Sequence, residues 1–271
     1  SLERGVDFNS PVVIEEAFGS LVMQSIFQTI AEANRQIDLA QSVVSNNLAN
    51  VGTTAFKADL YAAQVQYRGD ANVDAGALPF APEGVVDMTE GNISFTGRDL
   101  DVAINGSGWM QVVTPEGEEV LSRRGDLRVD VDGRVIDGVG RQVMSDAGPL
   151  TIQPDATAIA VGTDGTISYA PPGNAGAARV TLGRIMLVNP NPETLVKGLD
   201  GEIRADANED LMADAEIQVV SGALESSNVN PISAMVEMIS LSRAFEAQSK
   251  TLKSADEMDE SSASLMRVQA G

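Results

Sequence analysis

The stretch Ser45–Leu60, SNNLANVGTTAFKADL, joins two kinds of pattern. An apolar helical rhythm runs into Asn50, and Gly52, Thr53 and Thr54 break it before an aromatic, Phe56, and a cation, Lys57. Gly52 is the expected stop, because a glycine just past the last periodic residue accepts the conformation that ends a helix.

Upstream, Met23, Phe27, Ile30, Ala33, Ile37, Ala40 and Val44 follow one another in steps of three and four, averaging 3.5 residues. That period describes a helix with a narrow apolar seam. Gln24, Gln28, Glu32, Arg35 and Gln41 occupy its other face. Residues 1–22 show no sustained period and read as a leader, a tag or an extension.

Downstream, residues 63–90 carry Gly69, Gly76, Pro79, Pro82 and Gly84 and read as an extended connector. From Asn92 the chain becomes a series of short β-rich runs, among them LDVAI, WMQVV, LRVDV, TISYA and RIMLV. Between runs lie Asn105-Gly106, Glu116-Gly117, Asp132-Gly133, Asp137-Gly138 and Asp164-Gly165. Such dipeptides favour two-residue hairpins in which both central residues take positive φ. Residues 91–221 are thus expected to form an antiparallel β domain, interrupted by a loop at PPGNAGAA, 171–178.

Helix returns at Asn230-Pro231, with Asn as the N-cap and Pro at the first helical position. Met238, Phe245, Leu252 and Met266 share a heptad position that Asp259 interrupts, and Met235, Leu241, Ala255, Met258 and Leu265 widen the stripe. The expected fold class is α+β. Long N- and C-terminal helices, within 23–62 and 222–271, would form a discontinuous coiled-coil domain, with a central, mainly antiparallel β domain between them. The alternative is that both helices pack onto the sheet.

Composition narrows the chemistry. The chain has 271 residues, 43% hydrophobic but only 4% aromatic, so aliphatic side chains and Met must fill a sizeable core. Histidine and cysteine are both absent, which removes the imidazole base, the thiolate nucleophile, disulfides and the commonest transition-metal ligands. A net charge of −21 opposes binding to nucleic acid or anionic membranes and favours protein partners. No apolar run is long enough to suggest a membrane span, and no secretory signal is apparent.

The remaining chemical temptations are weak. Gly106-Ser107-Gly108 is not a nucleophile elbow. Asp130, Asp132 and Gly133 lack the later ligands and closing Glu of a calcium loop. Glu118-Glu119 and Glu209-Asp210 read as solvated carboxylates, and Arg123-Arg124 as a surface ion pair or a contact between subunits. No catalytic, cofactor or metal site is expected, and the protein reads as a non-enzyme.

Three ordered motifs carry a resemblance. Ala49, Asn50, Thr53, Phe56 and Lys57 match A-N-x-x-T-x-G-F-K in order, with Ala55 where that pattern has Gly. TGRDLDVA and Gly106-Ser107-Gly108-Trp109 match a central signature, and LESSNVN, MVEMI and RAFE match a C-terminal one. From Met23 onward the chain resembles the rod and hook axial proteins of the bacterial flagellum. Trp109 and the stretch Arg184–Arg204 look most like the proximal-rod members, with a distal-rod or hook-type subunit as the alternative.

The resemblance implies a structural subunit without cofactors. It would be exported by the flagellar type III apparatus and would polymerise through its terminal helices into the helical drive shaft of the basal-body rod, which crosses the periplasm. Its partners would be copies of itself, neighbouring rod proteins and the export apparatus. Asn46, Asn47, Ala49, Asn50, Thr53, Phe56 and Lys57 would form a polymerisation motif, and Met235, Met238, Phe245, Leu252, Met258 and Leu265 the seam of the C-terminal helix.

Several local choices stay open. The three asparagines either cap the helix end or bond across subunits. Lys57 either pairs across subunits or sits in solvent, and Gly52 is expected to supply the flexibility that Ala55 lacks. Residues 23–50 and 222–271 are expected to order on assembly. From another class, a secreted β-domain adhesin or binding module would use the helices only to trim its fold.

Overall fold

A computed structural model describes residues 11–60, 85–153, 156–171, 179–198, 200–206 and 211–269. The first ten residues of the expected leader, most of the connector and nearly all of the 171–178 loop lie outside the described residues, as do the side chains of Met23, Phe27, Met258 and Leu265. The chain divides into two compact units. One is Ser45–Ala234, and the other combines Ser1–Val44 with Met235–Gly271.

The first unit is β. Its N-terminal strands are β1 (Asp59–Leu60), β2 (Val85–Val86), β3 (Ile93–Phe95), β4 (Val102–Asn105), β5 (Trp109–Val113) and β6 (Glu119–Ser122). Next come β7 (Arg128–Val129), β8 (Val135–Ile136), β9 (Gln142–Ser145), β10 (Gly148–Pro149), β11 (Thr157–Val161) and β12 (Thr166–Ala170). The last are β13 (Val180–Arg184), β14 (Leu187–Val188), β15 (Val196–Lys197), β16 (Ile203–Arg204), β17 (Gln218–Ser221) and β18 (Ala223–Glu225).

A nine-stranded sheet runs β15-β16-β6-β5-β9-β8-β7, with β10 on β9 and β14 on β5. Beside it are the three-stranded sheet β11-β12-β13 and the ribbons β1-β2, β17-β4 and β18-β3. β5 is buried on both faces, which fits a run that is apolar except for the buried Gln111. Met110 and Val112 enter the main core with Ile104, Val120, Ile167 and Leu187, whereas Trp109 joins Leu121, Val188 and Ile203 in a second cluster. Each fully buried aliphatic side chain of this kind contributes about 1.5–3 kcal/mol.

The turns differ from the two-residue hairpins expected. At Thr114, Asp130, Asp137, Gly162 and Gly198 the N–H donates to the carbonyl four residues on, and the N–H three residues on donates back. The fourth residue of each turn is Gly117, Gly133, Gly140, Gly165 or Gly201, with φ between +81° and +97°. None of Glu116, Asp132 and Asp164 shares that sign. These are three-residue loops, a type I turn closed by one left-handed glycine. At Asp137-Gly138 the left-handed position falls on Gly140, while Gly138 sits where a Cβ would meet Asp126 Oδ2 at 2.0 Å.

The second unit is helical. α1 (Pro11–Ala49) and α2 (Pro231–Gln269) each span 39 residues, and α1 begins upstream of Met23. Asn230 Oδ1 accepts the N–H groups of Ile232 and Ser233 at 3.0 and 3.2 Å, so the expected N-cap forms. α1 buries Ile30, Ala40 and Val44, and Gln41 Nε2 donates to Ser242 Oγ at 3.4 Å. Along α2, however, Met235, Val236 and Ile239 are all more than half exposed.

The α+β expectation with a discontinuous coiled-coil domain is therefore corrected. Among the described residues, eighteen strands stand against two α-helices, and the fold is mainly antiparallel β. Among the described residues of α2 no closed apolar seam is present. The heptad spacing marks residues that could face a partner, but Ile232, Met235, Val236 and Ile239 form a wide stripe left open to solvent. No helix among the described residues is long and apolar enough to cross a membrane.

Candidate functional site

The segment after α1 is held by side-chain amides. Asn47 and the backbone of Asp59 exchange two hydrogen bonds of 2.8 Å. Asn50 Nδ2 donates to Asn46 O and Oδ1, and Thr53 Oγ1 donates to Asn50 Oδ1 at 3.0 Å. The Asn46 carbonyl also accepts the Asn50 N–H at 3.1 Å, and the remaining bonds tie the asparagine side chains to one another, to Thr53 and to Asp59. Further along, Asn228 of the S-N-V-N motif receives the N–H of Ala58 on its Oδ1 at 2.8 Å and donates from Nδ2 to the carbonyls of Asp87 and Thr89.

Ala55 itself takes the left-handed conformation, with φ of +54°, and its N–H donates to the Glu225 carbonyl at 2.8 Å. Gly52 does not substitute for it. The position that the resembled pattern fills with glycine keeps its geometry with an alanine, at a backbone cost of about 1–2 kcal/mol.

One residue on, Lys57 is buried, 3% exposed. Its Nζ donates to the Thr89 carbonyl at 2.6 Å and to Glu225 Oε1 at 2.9 Å. Arg123, also buried, donates from Nε to Glu225 Oε2 at 2.6 Å and from NH1 to the carbonyls of Gly106 and Gly108. The Gly91 N–H completes the carboxylate at 2.9 Å, and the Arg123 guanidinium lies 5.9 Å from the centre of the Trp109 ring. Neither cation is where the sequence suggested. Lys57 is not in solvent, and Arg123 is no surface residue.

Burial pulls the Lys57 ammonium below its ordinary value, against the opposing pull of Glu225. Burial alone would raise the Glu225 carboxyl, but Arg123, Lys57 and the Gly91 N–H together hold it below the usual range. The node therefore carries one carboxylate between two cations. Gly91 is required at its position, since a Cβ there would lie 1.9 Å from the Ser226 carbonyl oxygen.

A groove of about 330 Å³ is lined by Phe56, Lys57, Trp109, Arg123, Arg141 and Lys197, among others. Lys197 Nζ sits 4.6 Å above the Phe56 ring and 2.5 Å from Asp59 Oδ1. Arg141 is bound by Asp137 and Glu202, and Arg124 by Asp126. Arg124, Arg141 and Lys197 each lie against a carboxylate, while Lys57 and Arg123 share Glu225. Among the described residues no group of His, Cys, Asp or Glu could hold a metal ion.

The central motif has a structural meaning as well. Within TGRDLDVA, buried Asp101 accepts bonds from Thr96 Oγ1 and from Arg98 Nε and NH2, while its carbonyl receives the Gly222 N–H at 2.7 Å. On α2, Met235 is exposed, Phe245 is 39% exposed, and Met238 and Leu252 are half-buried. The residue that sequence reasoning missed is Glu225. As one of 39 carboxylates, just ahead of S-N-V-N, it carries no local signal of burial.

Comparison with known proteins agrees with the motifs. Residues 220–265 match the family described as flagellar basal body rod FlgEFG protein C-terminal, and residues 103–169 match the flagellar hook protein FlgE/F/G D1 domain. The chain is 34% identical over 239 residues to the flagellar basal-body rod protein FlgF of Escherichia coli, covering 86% of this chain and 94% of that protein. The FlgF of Salmonella typhimurium gives the same identity and coverage. The FlgF of Caulobacter vibrioides is 32% identical over 236 residues, covering 84% of this chain and 93% of that protein. The chain belongs to the flagellar basal-body rod protein family and is FlgF-like, a structural protein of the bacterial flagellar basal body and not an enzyme.

Proposed function

We propose that the chain is an axial subunit that joins copies of itself and neighbouring rod proteins into the helical drive shaft, and that it reaches the rod through the flagellar type III export apparatus. A place in the proximal rod is favoured by the likeness to FlgF proteins over most of the chain. The observation that carries the assembly reading is the open stripe on α2, where Ile232, Met235, Val236 and Ile239 are between 52% and 73% exposed. Contiguous apolar surface of this kind marks a protein–protein contact. Residues 23–62 and 222–271 then act together as the polymerisation domain, while the β unit supplies the body of the subunit.

Sedimentation velocity across a concentration series tests this. The full chain is expected to self-associate, and the double variant Val236→Asp, Ile239→Asp to remain monomeric with its β unit folded. Self-association equal in both proteins would overturn the reading.

A further inference from the structure

Lys57, Glu225 and Arg123 come from three distant parts of the sequence: the segment leaving α1, the segment leading into α2, and the loop after β6. Glu225 holds the first of these twice, through its carbonyl to Ala55 N–H and through its carboxylate to Lys57. Asn228 continues the same join, receiving Ala58 N–H and reaching the carbonyls of Asp87 and Thr89, while Asp87 N–H donates to the Ala58 carbonyl. Phe56 O accepts the Asn228 N–H at 3.2 Å. The two junctions of the β unit with its helices are thus fastened to each other through one buried carboxylate.

We propose that Glu225 is a latch that makes the segments 53–60, 85–92 and 222–230 a single cooperative unit, able to open as a whole while the β core stays closed. The chemistry gives it this character. Neutralising or removing the carboxylate leaves two buried cations without their counter-charge, and a buried unpaired cation must reach water or unfold its surroundings. Lys57 stands on a short segment that includes strand β1, so it is the cation free to leave, whereas Arg123 is also tied to the Gly106 and Gly108 carbonyls. Departure of Lys57 removes the support under Ala55 to Ala58. The bonds to Asn228 and Asp87 then go with it. Cooperative local opening of contiguous structure is a recognised mode of native proteins.

Amide hydrogen exchange on the full chain, in dilute solution, tests the latch with Glu225→Gln and Lys57→Met. The decisive amides do not touch either substituted side chain: Ala58, Asp87 and Asn228. All three are expected to exchange roughly tenfold faster or more in each variant, by a common factor, and to share one opening free energy that stays below that of Val112 and Val143 in the core. Acceleration confined to one of the segments, or an opening free energy for these three amides equal to that of Val112 and Val143, would overturn the proposal. Lys57→Met keeps the Arg123–Glu225 pair and decides alone where Glu225→Gln does not fold. Failure of both variants to fold would also overturn it, because a latch can open without loss of the core.

Discussion

The two units spend similar residues in opposite ways. In the β unit, Ile104, Ile167 and Ile185 are at most 1% exposed, and Lys57, Arg123 and Glu225 meet one another out of solvent. On α2 in the helical unit, Val236 and Ile239 are 59% and 54% exposed. The β unit contains the partners of its own side chains, whereas the described stripe of the helix is open to solvent. Stability and assembly are therefore expected to separate under mutation, and the contrast can be broken at several points.

The largest effect is expected at the buried node. Glu225→Ala strips the carboxylate from two buried cations and should cost about 3–5 kcal/mol of β-unit stability. Glu246→Ala, exposed on α2, should change it by no more than about 0.5 kcal/mol. Urea unfolding followed by the fluorescence of the single tryptophan, Trp109, reads the β unit directly.

The same node sets a pH dependence. The Glu225 carboxyl titrates below its ordinary 4.5 in the folded chain, so its contribution is present above that value and is lost as pH falls through the folded value. Lys57 and Arg123 face it, with Glu90 near Lys57. The β unit should weaken below about pH 4.5, and Glu225→Gln should flatten that part of the profile. An unchanged acid profile in the variant would show that other carboxylates govern it.

Next in size is a matched pair of truncations. Ile104→Ala removes a fully buried side chain and should cost about 2–5 kcal/mol. Ile239→Ala should leave the unfolding midpoint of dilute protein nearly unchanged and instead weaken self-association. A comparable loss of monomer stability at Ile239 would close the gap between the two units.

What could be read from the sequence follows the same division. Local geometry was legible: the period from Met23 to Val44, the Asn230-Pro231 start and the glycines that punctuate the strands all correspond to elements. Partnership was not. The coiled-coil expectation failed because a heptad records which side chains lie on one stripe and says nothing of what covers them. Neither alternative for Lys57, a pairing across subunits or a place in solvent, points to Glu225, because that partner stands 168 positions away, a distance no local pattern spans. Loop length is not legible in these dipeptides, because Asp-Gly suits both a two-residue turn and the end of a type I turn closed by glycine.

The smallest expected change asks whether the closed unit stores strain at its junction with α1. Ala55 holds φ of +54° beneath the Glu225 carbonyl, a conformation that costs a residue with a Cβ about 1–2 kcal/mol. Ala55→Gly removes that cost but adds freedom to the unfolded chain, worth about 0.4–1 kcal/mol in the opposite direction. The balance favours the variant by roughly 0.5–1 kcal/mol, read as a higher unfolding midpoint at unchanged slope. Gly52→Ala serves as its control, since Gly52 is not left-handed and has open space around the position of a Cβ. A stabilised Ala55→Gly beside a neutral or slightly stabilised Gly52→Ala would place the strain at residue 55. Destabilisation by Ala55→Gly would mean that the methyl group packs well enough to outweigh its backbone, and that the turn leaving α1 is as closed as the core it rests on.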